Sequence, residues 1–384
     1  MVPNANWSYP TLIRFGCGRI QELLDVCNEL QISNPMVVSD PGLVKQPVFD
    51  VIRKRLADTP HTLFCDIKPN PVKQNIIDGV QHYQTHGCDG IIAMGGGSAL
   101  DSAKTIAVMT GQKLDLWEYE DVGDNFKKFD PNGFAPVIAV PTTAGTGSAV
   151  GRAAIIIDEE LHSKRFIFHP QMMPNIVIAD PELTVSLPAK LTAATGMDAL
   201  AHNLEAYCAK GFHPMADGIA LEGMRLIKQW LPIAVKDGNN LEARSNLLAA
   251  SLMGGTAFQK GLGAVHSLSH PIGAIYDLHH GYLNAVFMPY VLAFNKPVIE
   301  ERLARLARYL DLKDANAIVA WLTELNHQFD ISMDLASVNV DESHTDDIVK
   351  QAMKDPSTGG NPRECDEQAF RSLFLSALYG KVSE

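Results

Sequence analysis

The residues in this chain best able to do chemistry are a carboxylate and an imidazole four positions apart, Asp198 and His202, followed downstream by His266, His270 and His280. On a helix, positions i and i+4 share one face, so Asp198 and His202 can point at one cation. His266 and His280 can complete a four-ligand shell of one carboxylate and three imidazoles. Such a shell suits Fe²⁺ or Zn²⁺, and its lack of thiolates argues against a closed structural zinc site. A catalytic cation is therefore expected. A lone histidine is more often a satisfied core or surface side chain than a ligand, and the histidines outside this set read as ordinary polar residues.

A second chemistry is suggested by the run Gly95-Gly96-Gly97-Ser98, with Asp101 and Lys104 one and two turns on. It follows a strand pattern and opens a helix pattern. Bare glycine backbone lets a pyrophosphate approach, and the N–H groups of a helix start favour its charge. A tight turn is the plainer alternative. The run is not the G-x-G-x-x-G fingerprint, and neither Gly16-Cys17-Gly18 nor Gly145-Thr146-Gly147 supplies it. A further loop, Pro141 to Ser148, offers the hydroxyls of Thr142, Thr143 and Thr146. Asp40, at the end of another strand pattern, can bond the two ribose hydroxyls of an adenosine and would repel a 2′-phosphate, favouring NAD over NADP. A turn or cap aspartate before Pro41-Gly42 is the alternative there, and Asn70 between Pro69 and Pro71 has the same two readings.

The elements that must carry these residues divide the chain in two. Up to about Asp180, short apolar runs at 36–39, 90–94, 136–140 and 175–179 have the uniform hydrophobicity of buried parallel strands, and Gly18 to Leu30 and Val72 to Thr85 have helical spacing. After Leu187-Pro188 the strand signals stop. Helices are expected over 189–209, 214–230, 241–253, 298–310, 315–329 and 367–379. The expected fold is an α/β N-terminal domain with a parallel, Rossmann-like sheet (residues 1–185) and an all-α C-terminal domain (186–384). Asp355 to Pro362 reads as a loose, turn-rich loop before the final helix.

Composition bounds the rest. A chain of 384 residues with 46% hydrophobic content is long enough for two cores, and a net charge of −12 makes nucleic acid and anionic membrane poor partners. The six cysteines form no C-x-x-C pair, which fits thiols in a reducing cytosol. The start of the chain lacks a secretory pattern and no run is long enough to span a bilayer, so a cytoplasmic protein is expected.

Seven runs, in order along almost the whole chain, resemble the iron-containing (group III) alcohol dehydrogenases within the dehydroquinate synthase-like superfamily. They are Lys68-Pro-Asn-Pro, Gly95 to Lys104, Pro141 to Ser148, Ala194 to His202, His266-x-x-x-His-Pro-x-Gly273, His280-Gly281 and Lys354 to Pro362. The resemblance implies Asp198, His202, His266 and His280 as metal ligands, with His270 near the substrate without being a ligand; one helical turn from His266, it is expected to relay the proton to water. It also implies Gly96, Gly97, Ser98 and Asp101 at the pyrophosphate, Thr142, Thr143 and Thr146 in the second cofactor loop, and Asp40 and Asn70 on the adenosine side and in the cleft. Lys164 falls where members often carry a cofactor-contacting lysine. Where many members have an acidic residue and a threonine, this chain has Ala149 and Gly151. The usual proline before the last ligand is His279, expected to support the ligands or face solvent. Lys260, just before the His266 segment, has two readings, a cation near the substrate or a surface lysine, and the surface is expected because lysine is seldom fully buried.

The implied activity is hydride transfer between NAD(H) and a small alcohol, aldehyde or ketone, in a homodimer or larger homo-oligomer. Two alternatives belong to other classes. A metal- and NAD-dependent lyase of the dehydroquinate synthase type would show no NADH accumulating with product, and members of that type tend to have Glu where Asp198 stands. A non-catalytic metal- or nucleotide-binding protein would turn over no alcohol at all.

Overall fold

The protein is described here from a computed structural model covering Tyr9 and residues 11–381. Six strands build one parallel sheet: β1 (Leu12–Phe15), β2 (Pro35–Val38), β3 (Thr62–Phe64), β4 (Gly90–Gly95), β5 (Val137–Pro141) and, after a separate antiparallel hairpin of β6 (Ala153–Asp158) and β7 (Ser163–Phe168), β8 (Ile176–Ala179). Their order is β1-β8-β5-β4-β2-β3, with every neighbouring pair parallel. The four strands read from their apolar runs are the four interior ones, and every residue in them is buried. A sheet covered on both faces needs that composition. The two edge strands, β1 and β3, have mixed burial and left no such signal.

On one face, Val37, Ile92, Met94, Ile138, Val140 and Ile178 pack against Leu23 and Val26 of α1 (Leu23–Glu29) and Ile52 of α2 (Asp50–Arg55). The helix expected from Gly18 is thus a short 3₁₀ turn, Arg19–Glu22, leading into α1. Helices α3 (Lys73–Thr85) and α4 (Gly97–Met109) pack on each other, and α4 runs along β4, β5 and β2. From β2 the chain steps outward to β3 and then returns to β4 on the other side. The strand order therefore reverses between β2 and β4, and in open α/β sheets ligands bind at the carboxyl ends of strands at such a reversal.

The other elements are helices: α5 (Ala189–Cys208), α6 (Pro214–Lys236), α7 (Leu241–Ala257), α8 (Ala264–Tyr276), α9 (His280–Tyr309), α10 (Ala315–Gln328), α11 (Thr345–Lys354) and α12 (Glu367–Leu378). Contacts divide the chain into a unit of Tyr9–Leu187 with Gly238–Leu248 and a unit holding Pro188–Asp237 and the chain from Ala249 on. Helix α5 is buried without interruption from Thr192 to Cys208, with α6 and α9 packed along it. A helix apolar or small all round can be buried that way. The segment expected as a helix over 298–310 is the second half of α9, which bends at Ile299 (φ −132°, ψ 25°) just after Pro297. A proline removes one helical hydrogen bond and crowds the preceding turn, which bends the helix. Among the described residues no helix is long and apolar enough to cross a membrane. The described cysteines are all free, and burial pushes the Cys27 thiol up to about 11 and the Cys208 thiol up to about 12.

Two expectations are corrected. The run from Asp355 is not loose: Asp355 caps a 3₁₀ helix over Pro356–Gly360, and Asn361 is buried with hydrogen bonds to Ala264 and Asn295. Lys260 is not a surface lysine. Its side chain is 2% exposed, and its ammonium lies 2.6 Å from Asp217 and donates to the Tyr207 carbonyl. Arg302 reaches the other Asp217 oxygen at 2.5 Å and lies over the Tyr207 ring. Burial pulls the Lys260 pKa below its ordinary value, and Asp217 opposes that shift. Lysine is rarely buried because its charge must be matched, and here it is matched at once. Replacing one partner of a buried pair strands the other charge, so Asp217→Asn is expected to cost about 3–5 kcal/mol. A lower denaturant midpoint at an unchanged slope, measured by circular dichroism, checks this.

Candidate active site

Helix α5 places Asp198, His202 and Glu205 along one line, at spacings of four and three residues. Helix α8 carries His266 and His270 one turn apart, and α9 begins at His280. Asp198 is 2% exposed, His202 5% and His266 1%. One donor atom from each of these three lies within 4.8 Å of the others. The Nε2 atoms of His202 and His280 stand 3.9 Å and 3.7 Å from the same Asp198 oxygen. The His202 and His266 rings stack at 4.7 Å. The four residues read from the sequence as ligands are thus brought to one place by three helices. Asn284, one turn into α9, aims its amide nitrogen at three of them: 2.8 Å to Asp198 Oδ1, 3.2 Å to His266 Nε2 and 3.1 Å to His280 Nε2. Its own Oδ1 is buried with no hydrogen-bond partner among the described residues.

Around this cluster lie two further carboxylates. Glu205 is 2.6 Å from His266 Nδ1 and accepts from the Val265 N–H at 2.7 Å. Asp355 is 2.7 Å from His270 Nδ1. The His270 ring lies parallel to that of His280 with centroids 5.2 Å apart. Burial alone would raise the Asp355 carboxyl, but His270 and the bonds from Ser357 hold it below the usual carboxylate range. His279 is exposed, one of the two places expected for it.

The dinucleotide candidates gather at the carboxyl ends of β2, β4 and β5. Gly96 caps α4, leaving the first N–H groups of that helix without helical partners, as in an anion cradle. A Cβ on Gly97 would stand 2.6 Å from the Thr146 methyl, and one on Gly95 (φ +155°) 2.7 Å from the Ala99 Cβ. Glycine is what lets these loops close on each other. Thr142 donates its N–H to the Gly95 carbonyl, Thr143 borders Gly96, and Ser98 donates to the Pro69 carbonyl next to Asn70. Asp40 serves the turn through one oxygen, accepting from the N–H groups of Gly42 (3.0 Å) and Leu43 (2.8 Å), while Oδ2 faces Gly95. Lys164 lies on β7 opposite Ile157, which in turn bridges Val72. Asp101 is turned inward: it accepts from Ser148 Oγ and the Ile155 N–H and lies 3.2 Å from the fully buried ammonium of Lys104.

Residues 10–181 match the iron-containing alcohol dehydrogenase family, and residues 192–378 match the C-terminal part of the same family. The chain belongs to the iron-containing alcohol dehydrogenases. It is 38% identical to 4-hydroxybutyrate dehydrogenase of Cupriavidus necator, covering 96% of this chain and 99% of that one. It is 35% identical to the NAD-dependent methanol dehydrogenase of Bacillus methanolicus, over 97% of this chain and all of the other. The crystal structure of a 1,3-propanediol oxidoreductase superposes with a TM-score of 0.92 at 33% identity, covering 97% of this chain and 100% of that one.

Iron fits the donors of this alcohol dehydrogenase. Imidazole and carboxylate both suit a divalent first-row ion. The Asn284 nitrogen has two hydrogens for three acceptors, so the cluster holds more lone pairs than its own donors can serve. Sequence reasoning missed Glu205 and Asn284 and gave Asp355 no role. The first two stand seven residues after Asp198 and four after His280, a helical period that could have revealed them; Asp355 comes from far along the chain. The enzyme also needs Gly281 bare, because a Cβ there would stand 2.2 Å from the Ala194 carbonyl oxygen, and 3.0 Å from the Asp198 Cβ. Gly281→Ala is expected to push α9 off α5, costing about 1–3 kcal/mol or more. A lower melting temperature of the metal-free protein, with weaker zinc retention on gel filtration, checks this.

Proposed function

We propose that Asp198, His202, His266 and His280 hold Fe²⁺, with Zn²⁺ a chemically competent substitute, in an NAD-dependent dehydrogenase of small alcohols and aldehydes. The observation that carries this reading is the convergence of those four donors from three helices, with Asp198, His202 and His266 buried and His280 partly exposed. Asp40, Asn70, Gly96, Gly97, Ser98, Asp101, Thr142, Thr143, Thr146 and Lys164 form the NAD site within a dinucleotide-binding domain of residues 1–185, and residues 186–384 form the metal-binding domain. Asp101 acts there by fixing the loop, given its inward bonds, and the others by contact. The relatives act on 4-hydroxybutyrate, methanol and 1,3-propanediol by their names, which supports a short-chain alcohol or its aldehyde as substrate. The enzyme works in the cytoplasm as a homodimer or larger homo-oligomer.

Iron, when bound, supplies Lewis acidity that lowers the hydroxyl pKa of an alcohol, and NAD supplies the hydride acceptor. The chain's own residues do the rest. The carboxylate of Asp198 offsets half the charge of a divalent ion in a buried place, which keeps its affinity high while the imidazoles stay neutral. His270, with Nδ1 bonded to the Asp355 carboxylate, holds its Nε2 as the proton acceptor and passes the proton onward to solvent. The glycine cradle would hold the pyrophosphate of NAD through backbone N–H groups, and Asp40 would hold its ribose hydroxyls.

Anaerobic treatment with dipyridyl is expected to abolish NADH formation across a panel of short alcohols, and Fe²⁺ to restore it. Undiminished oxidation by metal-free protein would sink the reading, and product formed without matching NADH would mark a lyase instead. Asp355→Asn is expected to lower kcat about 10-fold or more with KM little changed, within the roughly 10²–10⁴-fold that a positioned proton acceptor supplies. Steady-state kinetics of the purified variant decide this.

A further inference from the structure

We propose that Glu205 is the positioning carboxylate of the metal centre, locking His266 in the one tautomer that can bind a cation. The proposal rests on His266 being a ligand, as assigned above. Glu205 stands on α5 three residues after His202 and seven after Asp198, 6% exposed. Each of its oxygens has a separate task. Oε2 lies 2.6 Å from His266 Nδ1, and Oε1 accepts the Val265 N–H at 2.7 Å. Val265 is in the first turn of α8, where N–H groups lack helical partners and an anion is favoured. One side chain thus fixes both the start of α8 and the ring that α8 carries.

A carboxylate can only accept, so His266 Nδ1 must carry the proton. A neutral imidazole has one protonated nitrogen, which leaves the lone pair on Nε2. That lone pair faces the Asn284 amide nitrogen at 3.2 Å, a donor, and the pattern is self-consistent. Charge points the same way. Asp198 and Glu205 together match a divalent ion in a region from which water is excluded. Outer carboxylates of this kind orient a ligating imidazole and raise its basicity, and losing one typically weakens metal binding about 10–100-fold.

Glu205→Gln keeps the size and removes the charge. Its amide can serve Val265 with its oxygen only by presenting NH₂ to His266 Nδ1, which then must accept and shift its proton to Nε2. Zinc affinity, measured by competition with a chromophoric chelator, is expected to fall about 10–100-fold. Selective ¹⁵N-histidine NMR of the full chain without metal is expected to show His266 protonated at Nδ1 in the native protein and at Nε2 in the variant. Native-like zinc affinity in Glu205→Gln, while Asp198→Ala loses zinc, would overturn the proposal and leave the ligand assignment standing. Retention of zinc by Asp198→Ala would instead remove that assignment, and this proposal with it. If the glutamine variant does not fold, the native spectrum still decides: an Nε2-protonated His266 there refutes the lock.

Discussion

Lone pairs brought together out of water repel one another and lose their hydration, and the helical unit is organised around bearing that cost. A carboxylate and three imidazoles meet from α5 and from the consecutive helices α8 and α9, much further along the chain. Burial makes each unserved lone pair expensive. The donors available inside the cluster are few: Asn284 offers two hydrogens to three acceptors and, among the described residues, finds no donor for its own oxygen. Only close packing can hold such a set in place, and the packing is visible where α9 starts on Gly281 against the Ala194 carbonyl. Since interiors are close-packed and yield little, a shift of one helix would be felt at every ligand.

The sheet unit meets a different constraint, which is to bring two loops close together at the carboxyl ends of its strands. Here the problem is solved by leaving side chains out at Gly95 to Gly97 and by folding the Thr142 to Thr146 loop against them. The same motif's charged members then point inward. Lys104 is wholly buried, its pKa pulled down by burial and held up by Asp101, and it donates to the Ala153 carbonyl. Asp101 also ties α4 to β6 through Ile155. The loop is therefore braced from within by its acidic and basic residues.

Most of this was legible in the sequence wherever one local period carried the signal. Uniform apolar runs gave the four interior strands, and the i, i+4 spacing gave the shared face of α5 that carries Asp198 and His202. Edge strands β1 and β3 escaped because a strand exposed along one side has no continuous run to show. The hairpin β6–β7 escaped because it has no continuous buried run: β6 alternates in burial and β7 is partly exposed at all but one residue. Lys260 was misplaced for a related reason: the rule that lysines are exposed says nothing of an Asp217 forty-three residues earlier in the chain. Asp355 could be recognised as part of a motif, yet its work is a long-range contact with His270, and spacing along the chain does not encode that.

Two histidines on one helix turn, His266 and His270, show how identical side chains take different tasks from their surroundings. Each has its Nδ1 within 2.7 Å of a buried carboxylate, so each is held in the same tautomer by the same chemistry. What differs is the origin of the carboxylate. Glu205 comes from α5, the helix that also carries Asp198 and His202, and so moves with the ligands. Asp355 comes from the capped turn after α11, which is tied to α8 by the Thr358 to Ser267 hydroxyl bond. A ring braced by the ligand helix is suited to holding a cation. The His270 ring is braced instead by that turn, so two rings of one helix answer to carboxylates from different parts of the fold.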